Sequence, residues 1–402
     1  MSSPQPHYLF VHSRFPCLSE TFVVAQAESL ARMGVPVCHI ANRRPAFDEV
    51  HPPMRPWLER VLYLQSQRLS VWVRAHRWAI ERFARRYWQT LAETLRYEAP
   101  LPTALAHWAG AVLLLYHFRG QRVHVHAHFT YGAAAVAHWC HRLADVPYSL
   151  TLHGSDALYD NPPDLARKLA AAEALVSISA HNLAVLGTRF PGLLPRNRAV
   201  IPLGVEPLPY QPPPPIARPL RLLNVGRLSE HKAQHVLIAA CAQLREKGVP
   251  FLCDIIGSGE REAALRAQIA QAGLGDVVRL LGAKFHDEIL ASYRRYHVFV
   301  LTSVVEGMPL VLMEAMNAGI PIVTTAVGAI PELVGPEGAL LVPQEDPDAV
   351  AEAILRIAEG KIDSARMTQA AHARLTERFD LRRNHACFAE WLRAQPTALI
   401  PQ

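Results

Sequence analysis

Several signatures are missing from this chain of 402 residues, and each omission narrows what it can be. Its six cysteines, at 17, 38, 140, 241, 253 and 387, never fall at CxxC spacing, which argues against a zinc ribbon or a redox pair. A disulfide framework is not expected at this size; the reading is reduced thiols in a cytoplasmic protein. Twenty histidines are scattered without an HExxH. The opening MSSPQPHYLFVHSRFP lacks a basic segment followed by an apolar one, so no secretory signal is expected. The longest uncharged run, 20 residues from Ala99 to Phe118, is interrupted by Pro100, Pro102, His107 and His117. It reads as a buried helix rather than a membrane span.

What is present is globular. Half of the residues are hydrophobic and 19% are charged, which excludes wholesale disorder. At roughly 100 to 200 residues per domain the length predicts two or three domains. The net charge of +6 is concentrated. Between Arg55 and Glu98 stand nine Arg and four Glu, with no Lys or Asp, together with four of the seven Trp. Large or apolar residues at 69, 72, 73, 76, 80, 83, 87, 91 and 95 have helical spacing, and Arg74, Arg77, Arg82, Arg85 and Arg86 lie mostly off that stripe. Two readings stay open: a helical insertion over about 45–120 packed on its own domain, or a helix attached to an anionic membrane surface. A nucleic-acid binder is a further reading of the Arg run, but no repeat, zinc site or RNP-like motif supports it.

Along the chain, a β-α-β rhythm predicts a parallel sheet. Strands are expected at His7–Ser13, Val35–Ala41, Val123–Phe129, Tyr148–Leu152, Ala174–Ile178 and Val200–Ile201, and helices at 21–33, 131–144, 164–171 and 180–189. Ser179 stands at the N-cap of the last, and Ser19 is a capping candidate for the first. Pro207–Pro219 (PLPYQPPPPIARP) reads as a stiff spacer. A second α/β unit follows at once and ends in helices at 346–359 and about 364–395. Expected domains are therefore 1–206, a linker 207–219, 220–378, and a terminal helix 379–402 packing back on the first domain. Ligands of such sheets bind beyond the carboxyl ends of the strands, so two units predict a cleft with a site between them.

Three strand-to-helix junctions in the second half carry chemistry. NVGRLSEHK (224–232) sets Arg227 and Lys232 near a helix start, an anion site or an ordinary cationic turn. IIGSGE (255–260) has glycines for close backbone approach, but Glu262 stands where a dinucleotide fingerprint needs a third glycine. EGMPLVLMEAMNAGIPIVTT (306–325) places Glu306 past a strand, Pro309 near a helix start, and Glu314 in the second turn. In the first half, TLHGSD (151–156) puts His153 after a strand, facing the cleft or bonding its own loop; His128 in HAHF (126–129) reads as structural. RFPCLSETF (14–22) brings Glu20 and Thr21 to the first β-to-α loop.

Together, GRLSEHK, the GSG turn and EGMPLVLMEAMNAGIPIVTT closely resemble the retaining nucleotide-sugar glycosyltransferases of family four, with the GT-B fold. The resemblance covers nearly all of the second half and most of the first outside 45–120. RFPCLSETF, HAHF and TLHGSD resemble the exopolysaccharide or colanic-acid branch. It implies two Rossmann-like parallel-sheet domains facing across a cleft, and a hexose moved from a nucleotide diphosphate sugar to a lipid-linked or polysaccharide acceptor. The donor would be a UDP-sugar before a GDP-sugar. Arg227 and Lys232 would clamp the diphosphate without a metal or other cofactor, aided by amides around Gly307, Met308, Leu310 and Val311. Glu306 would bind sugar hydroxyls, Glu314 the ribose, and His153 would sit by the reacting sugar. Gly257, Lys284 and Phe285 would border the base; Glu20, Thr21 and His128 would lie on the acceptor side. No carboxylate of the first half is placed as a covalent nucleophile. SETF replaces the double glycine common in the family. A GT-B nucleotide-sugar epimerase and a non-catalytic sugar-nucleotide-binding subunit are the alternatives. The implied location is cytoplasmic, or peripheral at the inner face of the membrane.

Overall fold

A computed structural model describes residues 7–17, 20–47, 50, 52–96, 99–154 and 162–402. Ser19 and Asp156 lie outside the described residues. The chain divides into two compact units, Met1–Ile201 with Arg382–Gln402, and Pro202–Leu381.

The first unit is built on an eight-stranded sheet. Its strands are β1 (His7–Arg14), β2 (Val37–Arg43), β3 (Val61–Tyr63), β4 (Arg122–His128), β5 (Tyr148–Leu152), β6 (Ala174–Ser177) and β7 (Asn197–Val200), in the order β3-β2-β1-β4-β5-β6-β7. All of these pair in parallel. A short strand at Ala398–Leu399 adds antiparallel to the start of β4. Its helices are α1 (Thr21–Arg32), α2 (Leu69–Thr94), α3 (Leu101–His117), α4 (Gly132–Ala144), α5 (Leu165–Ala171) and α6 (Ala180–Arg189). Ser179 caps α6 by accepting a 3.0 Å bond from the Asn182 amide.

Alternation sends successive side chains to opposite faces, and parallel strands are buried on both. Leu9, Val11, Ile40, Val125 and Ala127 share a core with α2, α3 and α4. On the other face Tyr8 and Phe10 pack with Leu30 of α1 and with Phe388 and Leu392 of the terminal helix (Leu381–Arg393). The uncharged run is a core helix: Ala111 to Leu115 of α3 are wholly buried. No helix among the described residues is long and apolar enough to cross a membrane.

The 45–120 region is not purely helical. It contributes the edge strand β3 and a 3₁₀ segment, Pro52–Glu59, before the α2–α3 hairpin. Three residues of strand carry too little alternation to be read from the sequence. The apolar stripe of α2 also differs from expectation. Ala75, Trp78, Ala79, Tyr87, Thr90 and Thr94 are buried, whereas Leu69 is 79% and Val73 61% exposed. The helix kinks at Phe83 (φ −130°, ψ 27°), which rotates the buried face between its halves. A 2.9 Å bond between His76 Nδ1 and Tyr87 OH spans the kink.

The second unit has a six-stranded parallel sheet of β8 (Leu220–Val225), β9 (Phe251–Ile256), β10 (Val278–Leu280), β11 (Val298–Leu301), β12 (Ile322–Thr325) and β13 (Leu340–Val342), ordered β10-β9-β8-β11-β12-β13. Helices α7 (Gln234–Glu246), α8 (Glu262–Gln271), α9 (His286–Ser292), α10 (Leu310–Ala318), α11 (Ile330–Val334), α12 (Pro347–Ala358) and α13 (Ser364–Arg378) cover it. The proline stretch is strapped to this unit rather than standing free. Tyr210 OH bonds Thr368 Oγ1 (3.1 Å), Arg294 donates to the Pro212 carbonyl (3.1 Å), and Asn317 Oδ1 accepts from the Leu208 amide (2.8 Å). The long terminal helix expected at 364–395 is two helices, broken at Phe379–Asp380, where the backbone bridges to Val205.

In each sheet the chain leaves the central strand in one direction and returns on the other side. The reversals fall between β1 and β4 and between β8 and β11. These are the topological switch points at which open α/β sheets bind ligands.

Candidate functional site

At the second switch point three loops are tied together by backbone. Gly226 NH bonds the Ile256 carbonyl (3.0 Å), Leu228 NH the Ser258 carbonyl (3.0 Å), and Arg261 NH the Leu228 carbonyl (3.0 Å). The GSG turn is packed so tightly that a Cβ on Gly257, at φ +147°, would stand 1.9 Å from the Gly226 carbonyl oxygen. One on Gly259 would stand 2.3 Å from that of Leu228. The close approach read from these glycines is therefore to the neighbouring loop. From the other side, Val304 NH reaches the His231 carbonyl (2.9 Å) and Thr302 Oγ1 the Ala233 carbonyl (3.0 Å). Gln234 Nε2 holds the Arg227 carbonyl (2.9 Å).

That scaffold brings Lys232 and Glu306 together, 74 residues apart in sequence. Lys232 Nζ and Ser303 Oγ (2.7 Å) both donate to Glu306 Oε1. The Glu306 side chain is only 8% exposed and that of Lys232 22%, so this is a largely desolvated pair at a strand edge. Arg227 is exposed and donates to Glu260 (3.1 Å). Pro309 is the N-cap of α10, one position earlier than expected, and its carbonyl accepts from the Leu312 amide. Leu310 and Val311 open the helix, so their amides lie in the first turn, where intrahelical acceptors are lacking. Gly307 and the buried Met308 precede them.

Glu314 lies in the second turn and is buried. Its Oε1 accepts from His286 Nε2 (2.8 Å) and its Oε2 from Tyr293 OH (2.8 Å). The hydrogen bond that His286 donates to Glu314 raises the His286 pKa. Each carboxylate oxygen keeps one further lone pair for a ligand. Phe285, 58% exposed, is the N-cap of α9, and Lys284 before it is exposed.

At the first switch point the carboxyl edge is lined with histidine. His128 ends β4 and His153 follows β5; His128 Nδ1 and His153 Nε2 share a 3.1 Å hydrogen bond. His153 is framed by Phe129 and Phe22, with ring centroids 4.4 and 4.9 Å away. Burial pushes its pKa down to about 3, so it is neutral at physiological pH. His128 is buried behind it, its pKa also pushed well down by burial and by His126, His153, His12 and His39. A chain of bonds continues along the strand: His126 to Thr151 (3.0 Å) and Ser149 (2.8 Å), and His124 to Ser149 (2.7 Å). His12 Nε2 and His39 Nδ1 pair at 3.1 Å beside Phe15. Glu20 is at the N-cap position of α1 without a side-chain capping bond; burial pushes its carboxyl up to about 7, with Arg14 opposing. Thr21 opens α1 and is exposed.

Several groups around these sites were not singled out from the sequence. Ser303, Glu260, His286 and Tyr293 each hold a residue that was. The signal available for Ser303 was its position at the end of a strand. For His12 and His39 it was their alternation with the apolar residues of β1 and β2.

Residues 212–374, most of the second unit, match the family described as "Glycosyl transferases group 1". Over 246 residues the chain is 34% identical to the amylovoran biosynthesis glycosyltransferase AmsK of Erwinia amylovora, covering 57% of this chain and 59% of AmsK. It is 36% identical over 224 residues to the putative colanic acid biosynthesis glycosyltransferase WcaL of Escherichia coli K12, covering 52% of this chain and 54% of WcaL. The matches thus span less than two thirds of these relatives. Among solved structures, Anabaena HepE in complex with UDP aligns over 97% of this chain and 100% of its own, with TM-score 0.71 and 19% identity. Sucrose-phosphate synthase from Thermosynechococcus elongatus aligns over 97% and 98%, with TM-score 0.68 and 19% identity. At such identities the likeness is one of fold: two parallel-sheet α/β units of the GT-B kind.

Proposed function

We propose that the protein is a retaining, metal-independent glycosyltransferase of family four. It would move a hexose from a nucleotide diphosphate sugar to a lipid-linked or polysaccharide acceptor in exopolysaccharide synthesis. The observation that carries this reading is the Lys232–Glu306–Ser303 cluster at a sheet switch point, beside Arg227 and the first amides of α10, inside the segment that matches the glycosyltransferase family.

The donor diphosphate takes the place of carboxylates as partner of Arg227 and Lys232. Its charge is neutralised by two cations and the amides of Met308, Leu310 and Val311, which stabilises the departing nucleoside diphosphate without a metal or other cofactor. Glu306 then binds hydroxyls of the donor sugar, and Glu314, fixed by His286 and Tyr293, binds those of the ribose. Gly257, Lys284 and Phe285 border the base. The bond from the anomeric carbon to the phosphate oxygen breaks as the acceptor oxygen bonds to the same face. The acceptor proton passes to the leaving diphosphate. Neutral His153 lies by the sugar as a hydrogen-bonding group, and Glu20, Thr21 and His128 belong to the acceptor side. HepE was solved with UDP and with UDP-glucose, which supports a UDP-sugar ahead of a GDP-sugar. AmsK and WcaL support an exopolysaccharide acceptor.

The exposed apolar row of α2, flanked by exposed arginines, supports peripheral attachment to an anionic membrane at its cytoplasmic face.

The test is a panel of nucleotide sugars, followed by thermal shift and slow donor hydrolysis, with and without EDTA. One donor should raise the melting temperature and be hydrolysed equally in both conditions. No shift with any donor overturns the reading, loss with EDTA overturns metal independence, and isomerised sugar without acceptor makes the protein an epimerase.

A further inference from the structure

The helical flank of the first unit holds a cavity. It has a volume of about 460 Å³ and opens between the end of α2, the second half of α4, and α5. Glu93, Arg96, His138, Trp139, Arg142 and Arg167 line it. Its Arg142 side lies toward the amino ends of the strands, whereas Lys168, next to Arg167, reaches the Thr130 carbonyl just past β4. The chain enters α4 from the carboxyl end of β4 and leaves it toward the amino end of β5, and Arg142 is in the last turn.

Its charge is unbalanced. Three guanidinium groups face one lining carboxylate. Arg142 bonds Glu93 (2.6 Å), and Arg167 bonds Asp164 (3.2 Å) from outside the lining. Arg96 makes no side-chain ion pair among the described residues. Lys168 lies on the same helix as Arg167, and a smaller cavity of about 240 Å³ shares Arg142 and adds Arg86 and His141, with Asp145 bonded to Arg86. His138, in the wall, is pushed down to about 3 by burial, with Arg142, His141, Lys168 and Arg167 adding to the shift. A neutral imidazole there offers hydrogen bonding without further positive charge.

Like charges gathered in a concavity repel unless an anion is bound, and such a cavity focuses field on one. Guanidinium forks match the oxygens of phosphate. The volume is within the range of small-ligand sites, roughly 300 to 1,000 Å³. We propose that this cavity binds a phosphate-bearing anion through Arg96, Arg142 and Arg167, at a site separate from the one assigned to the donor. The phosphate comes either from a lipid headgroup, since Trp88 and Leu95 at the cavity end of α2 are 57% and 66% exposed, or from a soluble phosphate compound. The site does not depend on the glycosyltransferase reading.

The experiment uses the full chain with Arg227→Gln and Lys232→Gln, so that the donor cations cannot report. Inorganic pyrophosphate is titrated by calorimetry, and binding to vesicles of phosphatidylcholine with and without phosphatidylglycerol is measured by flotation. Both are repeated after adding Arg96→Gln with Arg167→Gln, Arg96→Gln alone, or Arg74→Gln with Arg85→Gln on the exposed face of α2. Binding of pyrophosphate that falls at least tenfold with the pocket pair, and several-fold with Arg96→Gln alone, supports the site with a soluble ligand. Loss of vesicle binding with the pocket pair, clearly exceeding that with the α2 pair of equal charge, supports it with a lipid. Should the pocket pair misfold by circular dichroism, Arg96→Gln, which gives up no ion pair among the described residues, decides alone. Equal effects of the two pairs, or no effect of the pocket changes on either probe, overturns the proposal.

Discussion

Glu306 has one oxygen occupied by two donors, Lys232 and Ser303, which leaves Oε2 for a substrate hydroxyl. Glu306→Gln keeps size and hydrogen bonding but removes the charge. Turnover should fall on the order of 10²-fold, while the donor dissociation constant, set mainly by the diphosphate, changes only a few-fold. Calorimetry beside initial rates checks this, and unchanged turnover removes Glu306 from the mechanism. Glu20 makes a different prediction. Its carboxyl is raised to about 7 by burial, so the folded state holds a proton that the unfolded chain releases near 4.5. Stability from this group is present below about 4.5 and lost as pH rises through 7. Glu20→Gln should therefore melt like the parent near pH 4 and be more stable at pH 8, by on the order of 2 kcal/mol. Arg227, Lys232 and Glu306 were legible because they stand in loops that follow strands, and Glu314 because it stands in the second turn of the helix after one. The partners that fix them were not, because Tyr293 and His286 meet Glu314 only through folding of the second unit.

At the scale of elements, sequence periodicity served where strands were buried and helices long. It failed at β3, which has three residues, and at the break after Arg378, where helical spacing runs on across Phe379. It gave no sign of what holds the proline stretch, whose partners Thr368, Arg294 and Asn317 come from distant parts of the second unit. The GSG turn and its close backbone approach were legible, but the partner, the neighbouring loop, was not. A methyl group on Gly257 meets a backbone oxygen that cannot rotate away. Gly257→Ala should destabilise the second unit by about 3 kcal/mol and weaken donor binding, because the displaced loop carries Arg227. Calorimetric unfolding with and without donor reads both effects. Helix α2 gives the opposite expectation. Leu69 and Val73 are 79% and 61% exposed, so Leu69→Ser with Val73→Ser should leave the melt within about 0.5 kcal/mol. If α2 rests on a membrane, the same pair should lower retention by anionic vesicles. Undiminished retention removes this face from any membrane contact.

Across the whole molecule, ionisable groups are divided unequally. His12, His39, His124, His126, His128 and His153 all lie in the first unit, and burial holds each below its ordinary value, to about 4 for His39 and His124 and about 3 for His153. Unfolded, each would bind a proton near 6.5. Their contribution is complete above that value and is lost as pH falls below it, by up to about 1.4 kcal/mol per pH unit for each histidine. Glu20 works in the other sense, but it is one group against six. In the second unit the hydrogen bond that His286 donates to Glu314 raises the His286 pKa, so protonation of this imidazole favours the contact. The first unit should therefore lose stability steeply between about pH 6.5 and 4.5, while the second changes little. All seven tryptophans, at 57, 72, 78, 88, 108, 139 and 391, belong to the first unit. Tryptophan fluorescence during urea unfolding consequently reports on that unit, and hydrogen exchange in β8 to β13 reports on the other. A fluorescence midpoint that falls with acid ahead of exchange protection in the second sheet is the expected result. Midpoints independent of pH over this window would mean that the histidines take up protons within the folded sheet, and that their buried hydrogen bonds break without unfolding it.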